Sequence, residues 1–279
     1  MIVPFSIFRR ILPAAVLTAA LLSVAACATD KVPTPDEIKQ DNADNRARQL
    51  VRVGDASRAG GDSASALSFY QRAQAMRPDW DEPYRRSGET ALALGMADEA
   101  AAAYTRLTAL VPDDAAALLG LGQALVALDR PAEAEDAFTR ARAAAAQDHR
   151  PLNGLGIVRD LAGDHAAAQA FYRQGLALSP DSLSLKNNLG LSLALSGTFA
   201  EAIQVLGDAA KAPGAGPRAR QNLALVYGLS GDMDRAAKIG RLDLSEAQVQ
   251  NNLKRYEALR KLSDTARARA VHTDQGPDR

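Results

Sequence analysis

The chain has 279 residues, of which 47% are hydrophobic but only 5% aromatic, with alanine the commonest; this composition favours closely packed small-residue helices over β-sandwiches or barrels and predicts an all-α fold. Lys and Arg number 33, as do Asp and Glu, so no net field draws the chain to nucleic-acid phosphate. Its single cysteine, Cys27, excludes an internal disulfide framework and a multi-cysteine zinc site.

Arg9 and Arg10 precede Ile11 to Val24, an uncharged stretch rich in Leu and Ala. A basic start, a short apolar run and small residues at its end have the layout of a secretory signal peptide, and the run is shorter than the about 20 residues of a spanning helix. Val24, Ala25, Ala26 and Cys27 resemble the bacterial lipobox. That resemblance implies removal of residues 1–26 and acylation of Cys27, with each buried methylene contributing about 0.8 kcal/mol of membrane anchorage. In similar lipoproteins the residue after the cysteine directs sorting; Ala28, in place of aspartate, implies the periplasmic face of the outer membrane. Residues 27–46, polar and containing Pro33 and Pro35, read as the acylated cysteine and a flexible tether.

From Ala47 one pattern recurs every 34 residues, restarting near 81, 115, 149, 183 and 217. Its eighth position holds Gly54, Gly88, Gly122, Gly156, Gly190 and Ala224, and its twentieth is Ala in all six copies. The twenty-fourth holds Tyr70, Tyr104, Phe138, Tyr172 and Leu206, large residues that fill the space the small ones leave. Gly61, Gly95, Gly163, Gly197 and Gly231, with Asp129 as the departure, mark a left-handed turn between paired helices. Pro78, Pro112 and Pro180 close second helices, and Asp79, Asp113 and Asp181 after them are expected to cap the next first helix. The sixth copy carries Gly240 and Asp243 where a bulky and a small residue recur, which predicts a short or irregular second helix.

These residues resemble the tetratricopeptide repeat over 47–244. The resemblance implies a right-handed α-solenoid of about six repeats, whose first helices line a concave surface that binds peptides or helices. Positions five, nine and twelve face that groove in the family. In the opening half they are Val51, Asp55 and Arg58, then Arg85, Glu89 and Leu92, a mixed and charged set. In the last three repeats the fifth is Asn153, Asn187 and Gln221 and the ninth is Ile157, Leu191 and Leu225, an amide row beside an apolar row. Either these six residues form a partner groove, or the amides bond to adjacent helices within the stack.

No catalytic constellation stands out. His149, His165 and His272 lack metal-ligand spacing and read as surface residues, and no GxxxxGK[ST] phosphate loop is present. Neither an enzyme activity, a metal, a cofactor nor a small-molecule substrate is expected.

Residues 245–262 carry an amphipathic stripe of Val249, Leu253, Tyr256 and Leu259 after a Ser245-Glu246 start and read as a capping helix. Residues 263–279, polar and rich in Arg, read as a disordered tail. The run Leu244 to Val249 with Asn251, Asn252 and Leu253 resembles the C-terminal block of the TadD family, lipoproteins of tight-adherence (Flp) pilus assembly. This resemblance implies a non-catalytic scaffold whose partners are the outer-membrane secretin and other pilus-assembly proteins, with a pilotin-like role. The alternatives are a periplasmic repeat adaptor that regulates a peptidoglycan enzyme and a general chaperone of exported proteins.

Overall fold

The computed structural model describes residues 35–273, with side chains for 39–272. The expected signal peptide at 1–26 and Cys27 lie outside the described residues. Among these there are fourteen helices and no strand. Twelve follow one another in pairs: α1 (Pro35–Ala59) and α2 (Ser63–Met76), α3 (Asp81–Ala93) and α4 (Ala97–Leu110), α5 (Ala115–Ala127) and α6 (Pro131–Ala144). The series continues with α7 (Arg150–Leu161) and α8 (His165–Leu178), α9 (Leu183–Leu195) and α10 (Phe199–Lys211), α11 (Pro217–Ser230) and α12 (Met233–Gly240). Two more, α13 (Glu246–Arg260) and α14 (Asp264–Thr273), complete the described residues.

From α3 onward each first helix packs on its own second helix, and α3, α5, α7, α9 and α11 also touch one another in series. The first helices thus share one continuous face, and the whole is an all-α solenoid. The repeat period is a packing device. Phe138 of α6 is buried between α5 and α7, and a Cβ added to Gly122 or to Gly154 would come within 2.5 Å of its ring. Burying such a ring contributes about 1.5–3 kcal/mol, and only a helix without a side chain at those points lets it in. Tyr104 fits between Gly88 and Gly120 in the same way.

Local backbone chemistry separates the helices. Asp129 (φ 53°) adopts the same left-handed conformation as Gly163 (φ 83°) at the corresponding turn; aspartate tolerates that region better than most residues. After three of these turns an aspartate, Asp62, Asp164 or Asp232, accepts from the backbone N–H three residues on and caps the second helix.

The caps of the first helices lie one residue beyond the expected aspartates. Trp80 N–H donates to the Arg77 carbonyl, Asp114 N–H to Val111 and Ser182 N–H to Ser179. Each Pro-Asp dipeptide is therefore consumed as the two central residues of a β-turn, with proline at the position it favours. Asp114 and Ser182 accept from Ala117 and Leu185, α3 has no side-chain cap, and Asp79 pairs with Arg77 instead.

Two other boundaries differ from expectation. The polar stretch expected to be tether up to residue 46 is helical from Pro35, proline being favoured in the first turn of a helix. The tail expected to be disordered contributes α14. Ser263 opens it, its Oγ accepting from Ala266 N–H at 3.4 Å, and Ala268 and Val271 are fully buried.

The last pair shows how the array ends. Helix α12 spans 8 residues against 13 or 14 in the other second helices. Helix α13 opens with a reciprocal capping box between Ser245 and Gln248 and packs on α11 and α12. Its Val249 touches the position of Gly240, and its Tyr256 lies where a Cβ on Gly228 would stand. Side chains from α13 thus supply the bulk that the sixth copy lacks.

Candidate functional site

The six expected groove residues lie on three neighbouring first helices: Asn153 and Ile157 on α7, Asn187 and Leu191 on α9, Gln221 and Leu225 on α11. Asn153, Ile157 and Gln221 are half-buried, Leu225 and Asn187 are buried, and Leu191 has no exposed surface. This depth of burial is greater than that of an open trough, and over α7 and α9 the covering element is α14. The C-terminal helix returns across the first-helix face and packs on α7 and α9. Ala268 and Val271 join the apolar cluster that holds Leu191 and Leu225, with Ile157 packed against it.

The amide row divides. Asn188 Nδ2 donates to Asn153 Oδ1 at 2.8 Å, so Asn153 bonds within the stack. Asn187 Oδ1 is buried with no hydrogen-bond partner, a costly state for an amide carbonyl. The charges of the opening half answer one another. Arg85 pairs with Asp114 at 2.6 Å and Arg58 with Glu89 at 3.4 Å, and Tyr70 donates to Asp55 at 2.8 Å.

Sequence reasoning missed the most polar point of the face. Asp160, at the twelfth position of the fourth repeat, is fully buried. Its Oδ1 accepts from His165 Nδ1 at 2.7 Å and from Ser192 Oγ at 2.7 Å, and its Oδ2 accepts from Tyr172 Oη at 3.0 Å. His272 of α14 joins the cluster, its Nε2 lying 3.4 Å from Oδ2 without the alignment of a full hydrogen bond. Burial alone raises the pKa of a carboxyl, but the hydrogen bonds from His165 and Ser192 and the imidazole of His272 beside it prevail and hold Asp160 below the ordinary range. The same burial, with the Asp160 charge beside it, pushes the Tyr172 hydroxyl well above its usual value. The side chains of His165 and His272 are therefore not on the surface, whereas the turn residue His149 is partly exposed. The groove positions of the family included Asp160 by count, but a carboxylate there gives no sign that two histidines, a serine and a tyrosine converge on it.

Arg267 fixes the corner between the last two helices. Its guanidinium donates to the carbonyls of Leu259 at 3.0 Å and Leu262 at 2.8 Å, satisfying groups left over at the end of α13. Arg269 reaches Asp129 at 3.3 Å, an exposed pair. Among the described residues no group of three His, Cys, Asp or Glu is placed to hold a metal ion, and no helix is long and apolar enough to cross a membrane.

Residues 86–149 and 154–217 match the tetratricopeptide repeat family. A comparison with curated proteins found no match. Among solved structures, a MamA protein is similar with a TM-score of 0.54 and 25% identity, covering 60% of this chain and 91% of its own. PilW, described as a widely conserved type IV pilus biogenesis factor, gives a TM-score of 0.60 at 18% identity, covering 79% of this chain and 96% of its own. A tetratricopeptide repeat protein from Parabacteroides merdae gives 0.65 at 16% identity, with 80% and 89% covered. The sequence period, the glycine-to-aromatic packing and the matched residues agree: the fold is a solenoid of the tetratricopeptide-repeat kind, and residues 86–149 and 154–217 match that family.

Proposed function

We propose that the protein is a non-catalytic, lipid-anchored interaction scaffold of tight-adherence (Flp) pilus assembly that assists the outer-membrane secretin. The observation that carries this reading is the C-terminal block: Leu244 to Leu253, the run that resembles the TadD family, builds the capped start of α13 against the final repeat. Val24 to Cys27 supports an acyl anchor, and Ala28 supports the periplasmic face of the outer membrane. A tetratricopeptide array with a first-helix face is suited to holding a protein segment. The likeness to PilW adds the fold alone, and MamA shares that fold too.

The test is a chromosomal Cys27→Ser replacement beside a full deletion, read by surface pili and by the amount of multimeric secretin in the outer membrane. Loss of both in both strains, with unchanged peptidoglycan composition, is the expected result. Altered peptidoglycan with normal pili would overturn it in favour of a cell-wall regulator. Photo-crosslinking from position 221 then identifies the partner that reaches the groove.

A further inference from the structure

We infer that the face formed by α7 and α9 is a helix-binding site, that α14 occupies it as a built-in stand-in, and that the displacing ligand is a short amphipathic helix from a protein partner. The ligand carries a small residue, an aliphatic residue one turn later and a hydrogen-bond donor beside it. Only the scaffold part of the function proposed above is required; the partner need not belong to pilus assembly.

The chemistry of the ligand is read from the occupant. Ala268, Val271 and His272 fall at i, i+3 and i+4, the spacing by which a helix lays one face into a groove. Ala268 and Val271 enter the apolar cluster beside Leu191, and His272 points its ring at the buried carboxylate of Asp160. A groove that is apolar along one row and ends in a buried anion selects for that order of side chains.

The fit of α14 is incomplete. His272 Nε2 stops 3.4 Å from Asp160 Oδ2 and has no hydrogen bond, and Asn187 Oδ1 beneath the same face has none either. A better ligand donates to both, gaining contacts that the stand-in leaves unmade. The hold on α14 is also light. Of the described side chains of this 10-residue helix only those of Ala268, Val271 and His272 are buried, and its link to Asp129 through Arg269 is exposed. Tethering through the α13 corner keeps the helix at high effective concentration, so the site stays closed until a helix that binds more tightly arrives.

A fluorescein-labelled peptide with the sequence of residues 263–273 is the probe. Titrated into the acylated full-length chain in detergent, it should bind the Val271→Asp variant, whose own tail is unseated, about tenfold or more tightly than the unaltered chain. The same peptide with aspartate in place of its valine should not bind, and Asp160→Asn in the Val271→Asp chain should weaken binding about tenfold. Equal affinity for both chains, or no binding to a Val271→Asp chain of undiminished helix content, overturns the inference. Hydrogen exchange on the unaltered chain needs no substitution: α14 amides should exchange by local opening at least about tenfold faster than those of α9. Exchange of α14 only on global unfolding overturns the stand-in role. Both measurements leave the pilus reading untouched.

Discussion

His272, on α14, lies 3.4 Å from the buried carboxylate of Asp160 on α7, so the C-terminal helix closes a polar cluster that the fourth and fifth repeats began. A buried anion surrounded by donors is stable only while those donors remain in place. The cluster therefore ties the position of α14 to the charge state of one aspartate.

That relation sets a pH dependence. Asp160 is held below the ordinary carboxyl range in the folded chain, so the unfolded chain binds its proton first as pH falls. The stability this group contributes is fully present above its unfolded value of about 3.9 and is lost as pH drops through the lower folded value. Urea unfolding between pH 7 and pH 3 should show a steeper loss in the unaltered chain than in Asp160→Asn. At pH 7 the substitution should cost about 2–4 kcal/mol, because the amide cannot replace the charged acceptor. Parallel curves would remove Asp160 from the account.

The repeat packing gives a sharper steric prediction. Alanine is the better helix former, by about 1 kcal/mol over glycine, yet Gly122→Ala places a Cβ within 2.5 Å of the Phe138 ring. Overpacking of that kind costs about 1–3 kcal/mol, so thermal unfolding should fall in temperature. Phe138→Leu should recover part of the loss in the double variant, because the two sites share one contact. A stabilised Gly122→Ala chain would mean that the ring moves freely.

At the turn after α5, Asp129 holds φ at 53° where the corresponding residues of the other repeats are glycine. Asp129→Gly should relieve about 1 kcal/mol of backbone strain, set against an exposed pair with Arg269 contributing about 0–1 kcal/mol. The net change is expected to be small, whereas Gly163→Ala at the matching turn should destabilise by about 1 kcal/mol or more. Chemical denaturation of the two variants side by side checks the contrast.

These turns and the glycine-to-aromatic contacts are legible in the sequence because each depends on spacing within one repeat or between neighbours. Gly156 and Tyr172 meet wherever the 34-residue period is kept. The Asp160 cluster is not legible in that way: His165 is local, but His272 arrives from a segment whose composition is polar and whose buried side chains are few. The average composition of the tail is that of a disordered segment, whereas Ser263 as a start signal and the three-residue step from Ala268 to Val271 are what make it a helix. The Pro-Asp pairs misled for a related reason. Aspartate after proline suits both a cap and the centre of a turn, and the extra residue in the connection decides for the turn.

The start of α13 tests how firmly the array is closed. Ser245 Oγ accepts from Gln248 N–H while Gln248 Oε1 accepts from Ser245 N–H, the latter at 2.9 Å. Ser245→Ala should lower stability by about 1 kcal/mol. Tyr256→Ala, which empties the space over Gly228, should cost about 3–5 kcal/mol. If unfolding of both variants is followed by hydrogen exchange, α11 to α14 should open before α3 to α6, because repeat arrays lose structure from the weakened end.

The two asparagines of the groove respond in opposite ways. Asn153→Ala removes the acceptor of Asn188 Nδ2 and should cost about 1 kcal/mol, with Asn188 left as a donor without that partner. Asn187→Ala deletes a buried carbonyl that has no hydrogen bond, so the loss of packing is offset and stability should change by less than about 0.5 kcal/mol. Partner binding should move the other way. Asn187→Ala, alone or with Gln221→Ala, should weaken capture of a partner helix about tenfold, while Asn153→Ala leaves it within about twofold. Thermal unfolding and a binding titration on the same three variants separate the roles; a chain that loses stability and binding together on Asn187→Ala would return that amide to the stack.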